Sequence, residues 1–233
     1  MLRLARGVAG ICGLAVVLLW RVWTPFTHTE TQCPTGQMLN NQALCCVAYD
    51  CSGEDTHCDD ILFDMLSATA DFLEQHNLEY YLTYGTLLGA VRDRNVIPWT
   101  GDIDIVVPNS TFAALHAADP MTSPLLQGLR FAKDMYPGIE YPLLRGCTTT
   151  IQNASHKPGN SIRYLDIYSI PWIEYHDKSN TINYTKFFRR DHPQYVEIRG
   201  RKFPGPSPAE EFLPKYYGEQ WRTPDAHRSE HGS

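Results

Sequence analysis

Positive charge is in short supply: 20 Lys and Arg stand against 26 Asp and Glu, a formal net charge of −6. A nucleic-acid surface normally carries a basic excess, so DNA and RNA are excluded as partners. There is no internal repeat and no low-complexity tract, which leaves a globular domain rather than an array. A long hydrophobic run is missing too. The uncharged apolar run over residues 7–20, between Arg6 and Arg21, falls short of the ~20 residues of an average spanning helix. Also absent is a small-x-small cleavage pattern, since the run ends in Leu19-Trp20-Arg21-Val22-Trp23. A removable signal peptide requires such a site. With Arg6 and Arg21 snorkelling and Trp20 and Trp23 at an interface, residues 1–26 read as an uncleaved type II signal anchor. A cleaved signal peptide is the alternative. Either way the remaining chain is expected in the secretory lumen.

An apolar fraction of 43% over 233 residues suffices for one core plus appendages. Cysteine usage fits an oxidising compartment. Outside Cys12 there are Cys33, Cys45, Cys46, Cys51, Cys58 and Cys147, five of them crowded into residues 33–58. Adjacent Cys45-Cys46 is poor spacing for zinc, so residues 27–58 are expected to be a disulfide-stapled stem of open connectivity. The sequons at Asn109, Asn153 and Asn183 agree with a lumenal glycoprotein.

The most informative stretch is residues 80–107. Tyr80-Tyr81-Leu82-Thr83-Tyr84 is strand-like, and Gly85-Thr86 leads into Leu87-Leu88-Gly89-Ala90-Val91-Arg92, which suits one or two helical turns. After Ile97-Pro98-Trp99, a second strand carries Asp102-Ile103-Asp104-Ile105-Val106-Val107. Strand side chains alternate between faces, so Asp102 and Asp104 project to one side together. Two neighbouring carboxylates repel, and a hard divalent ion, Mg²⁺ or Mn²⁺, relieves them. A helix starting just after Gly85 would present backbone N–H groups to phosphates. Alone, an Asp-x-Asp pair is more often a solvated strand edge; its setting here reverses that and points to metal and phosphate.

Gly85 through Arg92, Ile97-Pro98-Trp99 and Asp102-Ile103-Asp104-Ile105 together resemble the signature of the LicD family, which includes bacterial phosphocholine transferases, fukutin and fukutin-related protein. The resemblance implies an α+β nucleotidyltransferase-like fold of the polymerase-β type, a mixed sheet flanked by helices, here preceded by a membrane anchor and a Cys-rich stem. It also implies transfer of a phospho-alcohol from a CDP-activated donor to a glycan hydroxyl, with CMP leaving. One departure stands out: where the family usually has acids after the Trp, this chain has Thr100-Gly101.

Further along, residues 59–77 have the apolar spacing of an amphipathic helix, and residues 112–118 suggest a short one. Residues 131–142 alternate as in a weak hairpin, with Arg130, Lys133 and Arg145 as candidate phosphate contacts. Asp166 interrupts the apolar strand Tyr164-Leu165-Asp166-Ile167-Tyr168-Ser169-Ile170. A third acid on a strand beside the first pair would complete a metal site or accept a proton, and LicD-type sequences carry a similar Leu-Asp-Ile strand. Residues 196–203 are expected to form one strand, followed by a helix from Ala209 with Pro208 in its first turn. Tyr216-Tyr217-Gly218-Glu219-Gln220-Trp221-Arg222-Thr223-Pro224 resembles the family's closing aromatic element.

The expected organisation is an anchor at 1–26, a stem at 27–58, a catalytic domain at 59–224 and a polar tail at 225–233. Two divalent ions on Asp102, Asp104 and Asp166 would clamp a CDP-alcohol, choline or ribitol being the family's examples. Gly85 and Thr86 would hold its phosphates. Arg92 is a phosphate clamp or a surface ion pair; Trp99 stacks on the cytosine or fills the core. The setting is a Golgi or ER membrane, or secretion, with a glycan or glycoprotein as acceptor. Two other functions fit: a type II glycosyltransferase using a nucleotide sugar, and an inactive accessory relative that binds glycans.

Overall fold

A computed structural model describes residues 37–38, 45–49, 51, 58–117, 126, 128–134, 143–148, 161–177 and 182–224. The expected anchor at 1–26, the tail at 225–233, Cys33 and Asn153 lie outside the described residues, as does the side chain of Lys133. Among the described residues, no helix is long and apolar enough to cross a membrane.

The domain is built on β5 (Asp102–Val107), in which all six residues are buried. The strand occupies the interior of the sheet, with the Ile side chains on one face and the two Asp on the other. Five strands run in the order β4 (Tyr81–Leu82), β5, β9 (Tyr164–Ser169), β7 (Leu143–Thr148) and β6 (Leu129–Asp134). β5 and β9 pair in parallel, while the β4·β5, β9·β7 and β7·β6 pairs are antiparallel. The sheet is therefore mixed, with helices against it, as the resemblance implies. Parallel strands need a crossover; α3 (Asn109–Ala117) and the β6–β7 pair lie between β5 and β9 in sequence.

α1 (Cys58–Gln75) buries Leu62, Met65, Leu66, Thr69, Phe72 and Leu73, a stripe three and four residues apart. Phe72 and Leu73 gather with Leu115 of α3, Leu144 of β7 and Ile167 of β9 under one face of the sheet. Fully burying such a side chain contributes about 1.5–3 kcal/mol, so this stripe fixes the helix on the sheet. Asp59 and Asp60 in its first turn are ion-paired to Arg199, where negative charge also suits the helix dipole.

β10 (Gln194–Ile198) and β11 (Arg201–Gly205) form a hairpin where the sequence suggests one strand. Arg199 and Gly200 between them have φ of 52° and 81°, the double positive φ of a tight hairpin turn. Two helices are additional to the sequence reading. α4 (Ile170–His176) starts where Ser169 Oγ accepts the Trp172 N–H at 3.2 Å, and α5 (Tyr184–Phe187) starts on the Asn183 side chain. α6 (Ala209–Tyr217) follows Pro208, with Phe212 and Leu213 buried. Trp221 of the closing aromatic element is buried as well.

The Cys-rich stretch contributes β1 (Gln37–Met38) paired with β2 (Cys45–Cys46), and β3 (Ala48–Tyr49) paired with β8 (Ser161–Ile162). Cys51 is bonded to Cys58 at the start of α1, and Cys46 to Cys147 of β7, 101 positions away. The stretch is thus tied into the domain as well as to itself.

Candidate functional site

Register decides which side chains meet. In the parallel β5·β9 pair Asp102 stands opposite Tyr164 and Asp104 opposite Asp166. In the antiparallel β7·β9 pair Arg145 stands opposite Asp166. Because residues two apart share a face, Asp102, Asp104, Tyr164, Asp166, Tyr168 and Arg145 all fall on one side of the sheet. Ile103, Ile105, Leu165 and Ile167 take the side packed by α1. The sequence reading of the alternation is thus the geometry of the sheet.

Asp102, Asp104 and Asp166 are each at most 4% exposed, and each offers a carboxylate oxygen such that the three lie within 4.8 Å of one another. Three buried carboxylates this close repel strongly unless compensated. Part of the compensation comes from the chain. Arg145 Nε donates to Asp166 Oδ1 at 2.6 Å and its Nη2 to Oδ2 at 2.5 Å, a bidentate pair. The same guanidinium lies 4.8 Å over the Tyr164 ring. Tyr168 Oη stands 3.2 Å from Asp104 Oδ1 and 3.1 Å from Asp166 Oδ2, placed to donate to either. Thr100 Oγ1 donates to Asp102 Oδ1 at 3.0 Å.

Burial pushes the Asp166 carboxyl up from its ordinary range, and the hydrogen bonds and charge of Arg145 oppose that push. For Arg145 burial works to lower its basicity, but the Asp166 hydrogen bonds and charge override it and leave the guanidinium firmly charged. Burial and then the fields of Asp104 and Asp166 hold the Tyr168 hydroxyl well above its usual range. It stays protonated and serves as a donor.

α2 (Tyr84–Arg92) begins beside this row, two residues earlier than the sequence suggests. Tyr84 has a φ of 44°, a left-handed conformation that is uncommon for a bulky residue and clusters at functional sites. Its ring packs edge-on to Tyr168 at 5.2 Å and against Tyr216 at 4.9 Å. The first intrahelical acceptor is Thr83 O, which takes the Leu87 N–H at 3.0 Å. The N–H groups of Tyr84, Gly85 and Thr86 therefore have no carbonyl of their own helix to bond. Thr83 is fully buried, and its Oγ1 has no hydrogen-bond partner among the described residues. Thr86 Oγ1 accepts the Asp104 N–H at 2.7 Å, which pins the helix start to the Asp-x-Asp strand. Gly89 is required for closeness: a Cβ there would sit 2.5 Å from Asn95 O.

Of the remaining predicted residues, Arg92 donates to its neighbour Asp93, with Nη2 to Oδ2 at 2.7 Å, which favours the ion-pair alternative. Trp99 is 42% exposed and so is not the core aromatic of the other reading. Arg130 turns onto the Leu129 carbonyl at 2.9 Å. Arg145, read from sequence only as one basic residue among several, belongs to the carboxylate cluster. Tyr168 was not anticipated. Both carried a signal: a charged or hydroxylated side chain two places from, or directly across from, a buried acid on an apolar strand. Asn109 and Asn183 are exposed.

A family model described as "LicD/FKTN/FKRP, nucleotidyltransferase domain" matches residues 77–206, which includes α2, all three acids and Arg145. The chain belongs to the LicD family. Two curated relatives are 41% identical over 44 residues: uncharacterized protein RP689 of Rickettsia prowazekii (strain Madrid E) and uncharacterized protein RT0683 of Rickettsia typhi (strain ATCC VR-144 / Wilmington). The match covers 19% of this chain, which spans 16% and 14% of their respective lengths. Among solved structures, the crystal structure of ANT(2")-Ia in complex with adenylyl-2"-tobramycin is similar at 17% identity and a TM-score of 0.37. That similarity covers 65% of this LicD-family chain and 70% of the other.

Proposed function

We propose that this LicD-family protein is a metal-dependent transferase that moves a phospho-alcohol, phosphocholine- or ribitol-phosphate-like, from a CDP-activated donor to a glycan hydroxyl. The observation that carries this reading is the convergence of Asp102, Asp104 and Asp166, buried and within 4.8 Å, beside the start of α2. The donor set fits a hard cation: three carboxylates, all oxygen, as Mg²⁺ and Mn²⁺ require. Asp102 and Asp104 would hold it, with Asp166 completing the set. Bound there, such an ion polarises a phosphoryl oxygen and offsets the charge of the departing phosphate.

The chain's own groups account for the rest. The N–H groups of Tyr84, Gly85 and Thr86 at the helix start bind the donor diphosphate. Thr86 keeps its hydroxyl on the Asp104 N–H and so fixes the distance between the diphosphate cradle and the acids. Trp99, exposed shortly before β5, would stack on the cytosine. The acceptor hydroxyl oxygen forms a bond to the phosphorus bearing the alcohol, and the bond from that phosphorus to CMP breaks. CMP leaves with the electron pair, and the hydroxyl proton passes to a carboxylate of the cluster.

The surroundings support a lumenal setting. The Cys46–Cys147 and Cys51–Cys58 bonds suit an oxidising compartment, a type II anchor at 1–26 would place the domain there, and a polymerase-β-type fold suits the mixed sheet. The test is to incubate the purified chain with Mn²⁺, a glycan acceptor and a panel of CDP-alcohols and nucleotide sugars. The expected result is CMP release with one CDP-alcohol. Release of UDP or GDP instead would overturn the proposal in favour of a glycosyltransferase, and no turnover with any donor would favour an accessory glycan-binding protein.

A further inference from the structure

We propose that Arg145 is a built-in cation of the carboxylate cluster, standing where a second metal ion would otherwise be needed, so that the site takes one divalent ion rather than two. The inference rests on the metal-site reading above and deepens it. Arg145 is held for this task by the sheet itself, since it is the direct register partner of Asp166. Its guanidinium bonds both Asp166 oxygens, at 2.6 and 2.5 Å. Its side chain is 16% exposed and rests on Tyr164. A planar fork on a planar carboxylate is the arrangement that arginine, unlike lysine, makes in two bonds at once.

Charge decides the count. Three carboxylates bring three negative charges and Arg145 returns one, leaving two, the charge of a single Mg²⁺ or Mn²⁺. A second divalent ion would make the buried site net positive before any donor arrives. Arg163 does not enter this count: burial lowers its basicity, and its Nη1 is anchored to Ser161 Oγ at 3.0 Å. Arg145 is thus a positioning residue, setting how much of Asp166 an ion can claim.

The test is the stoichiometry of Mn²⁺ binding to the full chain, by titration calorimetry and by electron paramagnetic resonance of the unbound ion. Wild type is expected to take one Mn²⁺ per chain, Arg145→Lys one, and Arg145→Met two. Two ions on wild type, or one on Arg145→Met, would overturn the inference while leaving the metal-site reading standing. No Mn²⁺ on wild type would remove the metal-site reading and this inference with it. Should Arg145→Met not fold, the wild type and Arg145→Lys decide: one ion on each supports the inference and two on either overturns it.

Discussion

Removing the Cys46–Cys147 bond tests how far the Cys-rich stretch is part of the domain. The two cysteines are separated by 101 positions, against 7 for Cys51–Cys58. In the chain-entropy account a cross-link stabilises by restricting the unfolded state, and its effect grows with the logarithm of the loop. That gives about 4.7 kcal/mol at 25 °C for the long loop and about 2.4 kcal/mol for the short one. Cys46 and Cys147 are 1% and 0% exposed, so Cys46→Ala/Cys147→Ala also loses buried sulfur contacts, while relief of any native-state misfit works the other way. The expected loss for that double variant is roughly 3–5 kcal/mol, against roughly 1–2.4 kcal/mol for Cys51→Ala/Cys58→Ala. For a domain of this size the first loss corresponds to about 10 °C in Tm. Urea denaturation under oxidising conditions reads both, and the slope with urea should steepen for the long-loop variant as its unfolded chain expands. Equal losses for the two pairs, or a larger loss for the short loop, would refute the reasoning.

Two further substitutions probe how α2 is held against the acids. Gly89→Ala gains helix propensity worth about 1 kcal/mol but drives its Cβ into Asn95 O at 2.5 Å; overpacking costs about 1–3 kcal/mol, so thermal melting should show a net loss, and an unchanged or raised Tm would contradict the close approach. Thr86→Val leaves the buried Asp104 N–H without its acceptor and should cost about 1–3 kcal/mol, with Thr86→Ser restoring most of it; equal melting of the Val and Ser variants would show that the hydrogen bond contributes nothing.

Much of this was legible in the sequence because the decisive features are local. The alternation of Asp102-Ile103-Asp104-Ile105 fixes which side each residue takes, and burial of Ile103 and Ile105 on the other face follows from it. Asp166 was legible only in company: alone it reads as an acid facing water from an edge strand, and the Asp-x-Asp pair together with the LicD-like Leu-Asp-Ile strand marked it as the third acid. What local pattern could not supply was pairing. That Arg145 lies across from Asp166 depends on β7 docking beside β9, a contact between segments far apart in sequence. The partner of Cys46 was hidden in the same way. The β10–β11 hairpin escaped notice because its turn is Arg199-Gly200, where Asn-Gly or Asp-Gly would have marked it. α4 was missed although Ser169 and Pro171 are both helix-start residues, since the apolar run from β9 continues through Ile170 and conceals the boundary.

The central claim is that the three converging acids are a transfer site, and Asp104→Asn tests it most directly. Asp104 faces Asp166 across the parallel pair, so the substitution relieves like-charge repulsion and the variant should melt no lower than wild type without metal. Turnover of the CDP-alcohol that wild type accepts should fall well beyond the 10–100-fold typical of losing an outer-sphere partner, and Mn²⁺ affinity should fall with it. A folded Asp104→Asn chain that still releases CMP at the wild-type rate, with unchanged Mn²⁺ dependence, would contradict the account.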